Sequence, residues 1–316
     1  MNEALRLISK SLKPFGYHVR KFKAPNLLKI KNADTPENEG NIGALRLATD
    51  KPYFTQDCNL DHMIVYVRTC IRADRNIDTT ARITKVNLEE NTLRCLRSLV
   101  ISIEAAKKNM TGKAIELVVL DDRSDDDCLK KIEKVLSSLT CPHKIEQTKE
   151  TGQGNSLHQQ FKESIDKNAL VYFCEDDYLH EENAIQVCWE FYEKIAKGFS
   201  SHTFIYPQEH PVLYTDHYPS YLVLGNDRHW RTIRHATHTF ITHSHVVRDF
   251  WDYFENTKYV GVRKKRKKGS EAKTTNKLFK HIPAFSPLKP ASIHLQFEET
   301  VPPLYDWRPL WEEMKG

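Results

Sequence analysis

From His62 to about residue 195 the chain repeats one unit: a short apolar run that stops at polar or charged residues, then a stretch with helical periodicity. The runs are Met63–Val67, Ile115–Leu120 and Ala169–Cys174, with the more polar Lys144–Gln147 standing third in order. Continuous apolar runs of this length read as strands buried on both faces. Between them, Asn87-Leu88-Glu89-Glu90-Asn91 opens a helix whose stripe is Leu93, Leu96, Val100 and Ile103. A second helix carries Leu129, Ile132, Val135 and Leu136 on one face, and Thr151-Gly152-Gln153-Gly154-Asn155 is a turn that opens a third. Strands alternating with amphipathic helices predict an α/β fold with a mostly parallel sheet covered by helices.

In an open α/β sheet, ligands bind beyond the carboxyl ends of the strands. Four such ends are polar here: Arg68, the acidic cluster 121–127, the Gly152/Gly154 turn, and Glu175-Asp176-Asp177. The last triplet constrains the chemistry most. An apolar strand cannot run into three carboxylates unless their charge is compensated, and a divalent cation with oxygen ligands is an economical compensator. The competing reading is a solvated helix start, where acids are favoured by the helix dipole. Asp121-Asp122 has the same two readings, with Ser124 or Asp125 able to cap the following helix and Asp122 placed to accept hydrogen bonds from a base or ribose. Gly152-Gln153-Gly154 lacks both the Lys-Ser/Thr ending of a P-loop and the third glycine of a dinucleotide fingerprint.

Residues 1–60 read as a partly helical N-terminal arm, 61–200 as the α/β half, and 201–316 as a second half. In that second half, 203–206, 221–224 and 237–242 read as strands and 246–255 as a helix. The run Arg263-Lys264-Lys265-Arg266-Lys267-Lys268 lies in a flexible polar loop, 261–275, and the tail is rich in proline and tryptophan. Six like charges in a row repel one another and favour a solvated loop; a lid over an anionic ligand is the sharper reading. The net charge of +5 does not call for a nucleic-acid partner. Seven cysteines without CxxC spacing favour reduced thiols, hence a cytoplasmic protein. No apolar run is long enough to span a bilayer, although the apolar and basic arm leaves peripheral membrane contact open. His235, His238, His243 and His245 lie close in sequence, but without cysteines at ligand spacing they read as a polar sheet face before a zinc site.

The order of these segments resembles the family 2 glycosyltransferases of GT-A fold. Ile64-Val65-Tyr66-Val67-Arg68-Thr69 resembles that family's first strand and its nucleotide-contacting end, and Leu93–Leu99 its first helix. Val118-Val119-Leu120-Asp121-Asp122-Arg123-Ser124 is similar to its apolar-Asp-Asp-x-Ser segment, and Gly152–His158 stands at its glycine-led helix start. Tyr172–Asp177 resembles its DxD-type metal motif. The resemblance covers residues 64–195 and implies a Rossmann-like GT-A sheet with a mixed, acceptor-side half. It implies a nucleotide-sugar donor, a UDP-sugar foremost, contacted by Arg68, Thr69, Asp122, Gly154 and Asp176. It also implies Mn2+ or Mg2+ held by Asp177 and the C-terminal His294. Transfer with inversion to a glycan, lipid-linked or protein acceptor would use an acid of the second half as general base. Glu271 fits first, just after Lys267-Lys268-Gly269-Ser270, and Asp249 second, although the family's usual Glu-Asp pair is missing. Two other readings stay open: a nucleotidyltransferase, and a non-catalytic carbohydrate- or polyanion-binding protein on the same fold.

Overall fold

The computed structural model describes residues 8, 11–15, 53–55, 57–72, 82–209, 214, 220–258 and 270–316. Most of the expected arm and the whole basic run 263–268 lie outside the described residues. A nine-stranded sheet organises the rest. Four parallel strands form one side of it: β1 (His62–Thr69), β2 (Ala114–Asp121), β3 (His143–Gln147) and β4 (Leu170–Glu175). They lie in the order β3-β2-β1-β4. This is the α/β GT-A arrangement. Three further strands are β6 (Phe204–Ile205), β7 (Leu222–Leu224) and β8 (His229–Thr232), and β9 (Phe240–His243) and β10 (Ala284–Pro287) complete the sheet beyond β4 in the order β9-β6-β10-β8-β7. Of these neighbours only β6 and β10 run parallel, so the second side is mixed.

Strand β1 shows why both faces are covered. Met63, Val65 and Val67 pack into one apolar core with Leu117 and Val119, whereas Ile64 and Tyr66 enter the opposite core with Val118 and Leu120. Successive strand side chains point to opposite faces, so a continuous apolar run requires a layer on each side. The first core is closed by α1 (Leu88–Asn109), α2 (Asp126–Leu136) and α4 (Ala184–Phe199), the second by α3 (Gln153–Ser164), α5 (Ser244–Asp249) and α6 (Trp251–Glu255). Helix α1 starts where Asn87 accepts a hydrogen bond from the Glu90 N–H at 2.8 Å. The helix expected over 246–255 is split, because Phe250 leaves helical geometry (φ −115°, ψ 30°) between α5 and α6.

A second sheet has only two strands, β5 (Tyr178–His180) and β11 (Ser292–His294), paired antiparallel. It packs on a third apolar cluster in which Leu179, Ile293 and Leu295 meet Cys95, Trp307 and Trp311. The terminal helix α7 (Arg308–Glu313) is fastened to α1: the Arg94 guanidinium lies 4.4 Å from the Trp311 ring, and Arg97 donates to the Met314 carbonyl at 2.8 Å. The proline- and tryptophan-rich tail thus backs the small sheet. Among the described residues no helix is long and apolar enough to cross a membrane.

Candidate active site

The site is built where β4 ends. Strand pairing holds Glu175 beside Arg68 of β1, and the Arg68 Nη2 to Glu175 Oε1 distance is 2.6 Å. Arg68 also donates to Ser156 Oγ at 3.1 Å, on the first turn of α3. After Glu175 the chain turns through Asp176 and Asp177 into β5. There Tyr178 pairs with His294 of β11 in register, and the Leu295 N–H donates to the Asp177 carbonyl at 2.8 Å. A residue more than a hundred positions away is thereby fixed against the triplet. His294 stacks on the Tyr178 ring, 4.6 Å between centroids, and its Nε2 lies 3.3 Å from Asp177 Oδ1.

Asp177 is buried between two basic side chains, His294 on one oxygen and Arg82 Nη1 on the other at 3.0 Å. Burial alone would raise its carboxyl, but His294 and Arg82 outweigh that and hold it below the usual carboxylate range. For His294 the balance is the mirror image: burial disfavours the imidazolium, and the Asp177 charge overcomes it and raises the ring. Asp176 has less help. It is half-buried beside Asp177 and accepts one hydrogen bond from Thr92 Oγ1 at 3.1 Å. Burial first, and then the neighbouring Asp177 charge, push Asp176 up to about 6. Two adjacent carboxyls are thus shifted in opposite directions, as in many sites that do chemistry.

A single ligand atom from each of Glu175, Asp177 and His294 falls within 4.8 Å of the others. Asp177 Oδ1 has His294 Nε2 at 3.3 Å as its ion-pair partner, while His294 Nδ1 is buried and, among the described residues, makes no hydrogen bond. Buried polar atoms in native proteins are nearly always satisfied. Two carboxylates and one imidazole, with an unpartnered buried ring nitrogen among them, suit a hard or borderline divalent cation.

The other expected donor-side residues have different surroundings. Asp121 is a structural hub: it accepts from Thr69 Oγ1, from both the N–H and hydroxyl of Ser124, and from Gln147 Nε2. Asp122 accepts from the Gly152 N–H at 2.7 Å and from Thr148 Oγ1 at 3.2 Å. Gly152 has φ +103°, a conformation that favours glycine. The Asp122 carboxylate therefore fixes the turn before α3, in whose first turn Gly154 is buried. Asp125 to Asp127 open α2 and are exposed.

Of the two acids considered as base, only Glu271 approaches this edge. Phe240 of β9 pairs with Phe173 of β4, so the residues just before Phe240 lie alongside the Glu175 end. There Tyr178 OH meets Thr237 Oγ1 at 2.7 Å, and His238 Nδ1 lies 3.5 Å from Glu271 Oε1. Burial pushes His238 down to about 4, with the Glu175 charge opposing, so the ring is neutral. Glu271 itself is exposed, at the head of a short 3-10 turn, Glu271–Lys273. Asp249 lies at the end of α5, on the far edge of the sheet, where it accepts from Tyr53 OH and pairs with Arg248 at 2.7 Å. The sequence reading missed Arg82 and Thr92. Nothing in their neighbourhoods separates Arg82 from the other arginines that follow β1, whereas Thr92, one turn into α1, faces the site only because α1 packs against β5.

The chain matches the profile described as Glycosyl transferase family 2 over residues 83–254, more than half its length. Among curated proteins no match is found. Among solved structures it is similar to S. aureus TarS, with 16% identity and a TM-score of 0.45, covering 73% of this chain and 36% of that one. It is also similar to S. aureus TarS 1-349 in complex with UDP-GlcNAc, with 14% identity and a TM-score of 0.41, covering 74% of this chain and 60% of that one. A third similar structure is UTP-bound UGPase from Acinetobacter baumannii, with 6% identity and a TM-score of 0.44, covering 80% of this chain and 91% of that one. The chain thus spans less than two thirds of the TarS chains it matches. With the strand order, the acidic turn after β4 and the profile match in agreement, the chain belongs to glycosyl transferase family 2.

Proposed function

We propose that this protein is a glycosyltransferase that takes a sugar from a nucleoside-diphosphate donor, with a UDP-sugar as the leading candidate. The observation that carries the reading is the Glu175/Asp177/His294 set, with Asp177 and His294 buried and Glu175 half-buried beside them. These three residues would hold Mn2+ or Mg2+, and the cation would supply the charge that stabilises a departing diphosphate. Arg82 now neutralises Asp177; a bound diphosphate would offer that guanidinium a second anionic partner. Asp176, Thr69, Arg68 and the α3 start around Gly154 would line the nucleotide side, with Asp122 acting by fixing the Gly152 turn. Residues 61–200 would form the donor half and 201–316 the acceptor half.

In an inverting displacement, an acceptor hydroxyl attacks the anomeric carbon, the bond to the diphosphate breaks, and the hydroxyl proton passes to a base. Glu271 is the candidate base. Its exposed carboxylate stands on the acceptor side of the edge, 3.5 Å from His238 Nδ1. The acceptor would be a glycan, a lipid-linked saccharide or a protein.

The test is to incubate the protein with a panel of nucleotide sugars and Mn2+ and to measure what is released. Slow hydrolysis that frees nucleoside diphosphate from one donor is the expected result. Pyrophosphate made from a nucleoside triphosphate would instead favour a nucleotidyltransferase, and no binding of any donor would favour a non-catalytic role.

A further inference from the structure

A second group of ligand-bearing side chains lies at the other edge of the sheet. Strand β9 is antiparallel to β4, so its last residue, His243, pairs with Leu170, the first residue of β4. Five strand positions separate Leu170 from Glu175, roughly 17 Å at about 3.3 Å per residue. His202 stands just before β6, His243 ends β9 and His245 lies in the first turn of α5. All three are buried, and one ring nitrogen of each falls within 4.8 Å of the others. The His202 and His243 rings stack with centroids 5.0 Å apart, and His245 meets His243 edge-on at 4.4 Å.

The ring nitrogens are oriented from outside the cluster. Tyr192 OH holds His202 Nδ1 at 2.9 Å, which leaves His202 Nε2 pointing inward. The Thr55 hydroxyl sits where two rings converge, 2.9 Å from His202 Nε2 and 2.7 Å from His245 Nδ1. Among the described residues His243 Nε2 makes no hydrogen bond of full geometry, although the residue is 0% exposed; the Asn59 backbone interacts with the ring. A hydrogen-bonded cluster accounts for Thr55 and two of the histidines, but it leaves this third nitrogen buried with at most a weak contact.

We propose that His202, His243 and His245 form a binding site for Zn2+ or a similar imidazole-preferring divalent cation, separate from the acidic site at the end of β4. Three imidazoles with one further position match the ligand number and type that zinc takes. A cation there displaces the Thr55 hydroxyl or takes it as the fourth ligand. Bound at His243 Nε2, it requires the ring proton on Nδ1, so the 3.2 Å cap from the His245 N–H to that nitrogen is exchanged for the metal bond. The site then cross-links the entry to β6, the end of β9 and the start of α5, and binding free energy becomes folding free energy.

The experiment uses the full chain carrying Asp177→Asn, which disables the acidic set, stripped with a chelator and titrated with Co2+ as a spectroscopic stand-in. One equivalent should bind with the intense visible absorption of low-coordinate cobalt. Zn2+ should displace it and raise the melting temperature. His202→Gln and His245→Gln should each weaken binding by at least about tenfold, while their circular dichroism and melting in chelator match the parent. The proposal is overturned if the Asp177→Asn protein binds no Co2+, or if both histidine variants fold and bind it as tightly as the parent.

Discussion

Asp176→Asn should stabilise the cation-free protein at neutral and alkaline pH. Asn is nearly isosteric and keeps an oxygen to accept the Thr92 hydroxyl, so the substitution removes the charge and little else. Burial and the Asp177 charge raise the Asp176 carboxyl from 3.8 to about 6. At 1.36 kcal/mol for each tenfold change in proton affinity, ionised Asp176 costs the folded state about 3 kcal/mol. The sign follows from proton binding. The folded state binds this proton more tightly than the unfolded state, so the cost is full above about 6 and fades as pH falls toward 3.8. For a chain of this size, about 3 kcal/mol corresponds to a melting shift of roughly 5 °C. Thermal melts of both proteins in chelator, from pH 4.5 to 8, should show the variant melting higher at pH 8 and the gap closing near pH 4.5. A variant that melts lower at pH 8, or a gap that does not change with pH, would refute the claim that the Asp176 charge destabilises the fold.

Two further substitutions separate scaffold from chemistry. Asp121→Ala strands the donors of Thr69, Ser124 and Gln147 and should cost about 3 kcal/mol or more, read from the urea midpoint. Glu271→Gln should lower kcat about a hundredfold or more with donor KM and melting temperature unchanged; full activity in the variant would remove Glu271 from the chemistry.

The parts of the fold legible in the sequence are those whose side chains meet two covered faces. Strands β1, β2 and β4 are continuous apolar runs because both cores claim their residues. Strands β5 and β11 have three residues each, too few to show a period, and β5 follows directly on the acidic triplet. Strand β8, His-Trp-Arg-Thr, buries only its Trp230. The strand expected over 237–242 begins only at Phe240, because the segment before it is drawn off to Tyr178 and Glu271.

The site was legible as a place more than as a set of roles. Position along β4 marked Glu175 to Asp177, but sequence alone left two readings for Asp121 and Asp122. Their hydrogen bonds brace Ser124 and the Gly152 turn, and Asp125 to Asp127 form an exposed helix start. His294 was reachable only through resemblance to a family, since its approach to Asp177 depends on the β5–β11 pairing. Of the histidines read as a polar sheet face, His243 and His245 instead join a buried cluster, because His245 starts a helix and His202 comes in from the stretch just before β6. No local pattern joins positions that distant.

The central claim is that Asp177 and its partners bind a divalent cation together with a nucleotide-sugar donor. Isothermal titration of UDP-GlcNAc, and of other nucleotide sugars in turn, into the wild type and Asp177→Asn, with Mn2+ and with chelator, tests it directly. The expected result is a donor that binds the wild type only with Mn2+ and does not bind a folded Asp177→Asn protein. Equal donor binding by the two proteins, or binding indifferent to Mn2+, would contradict it.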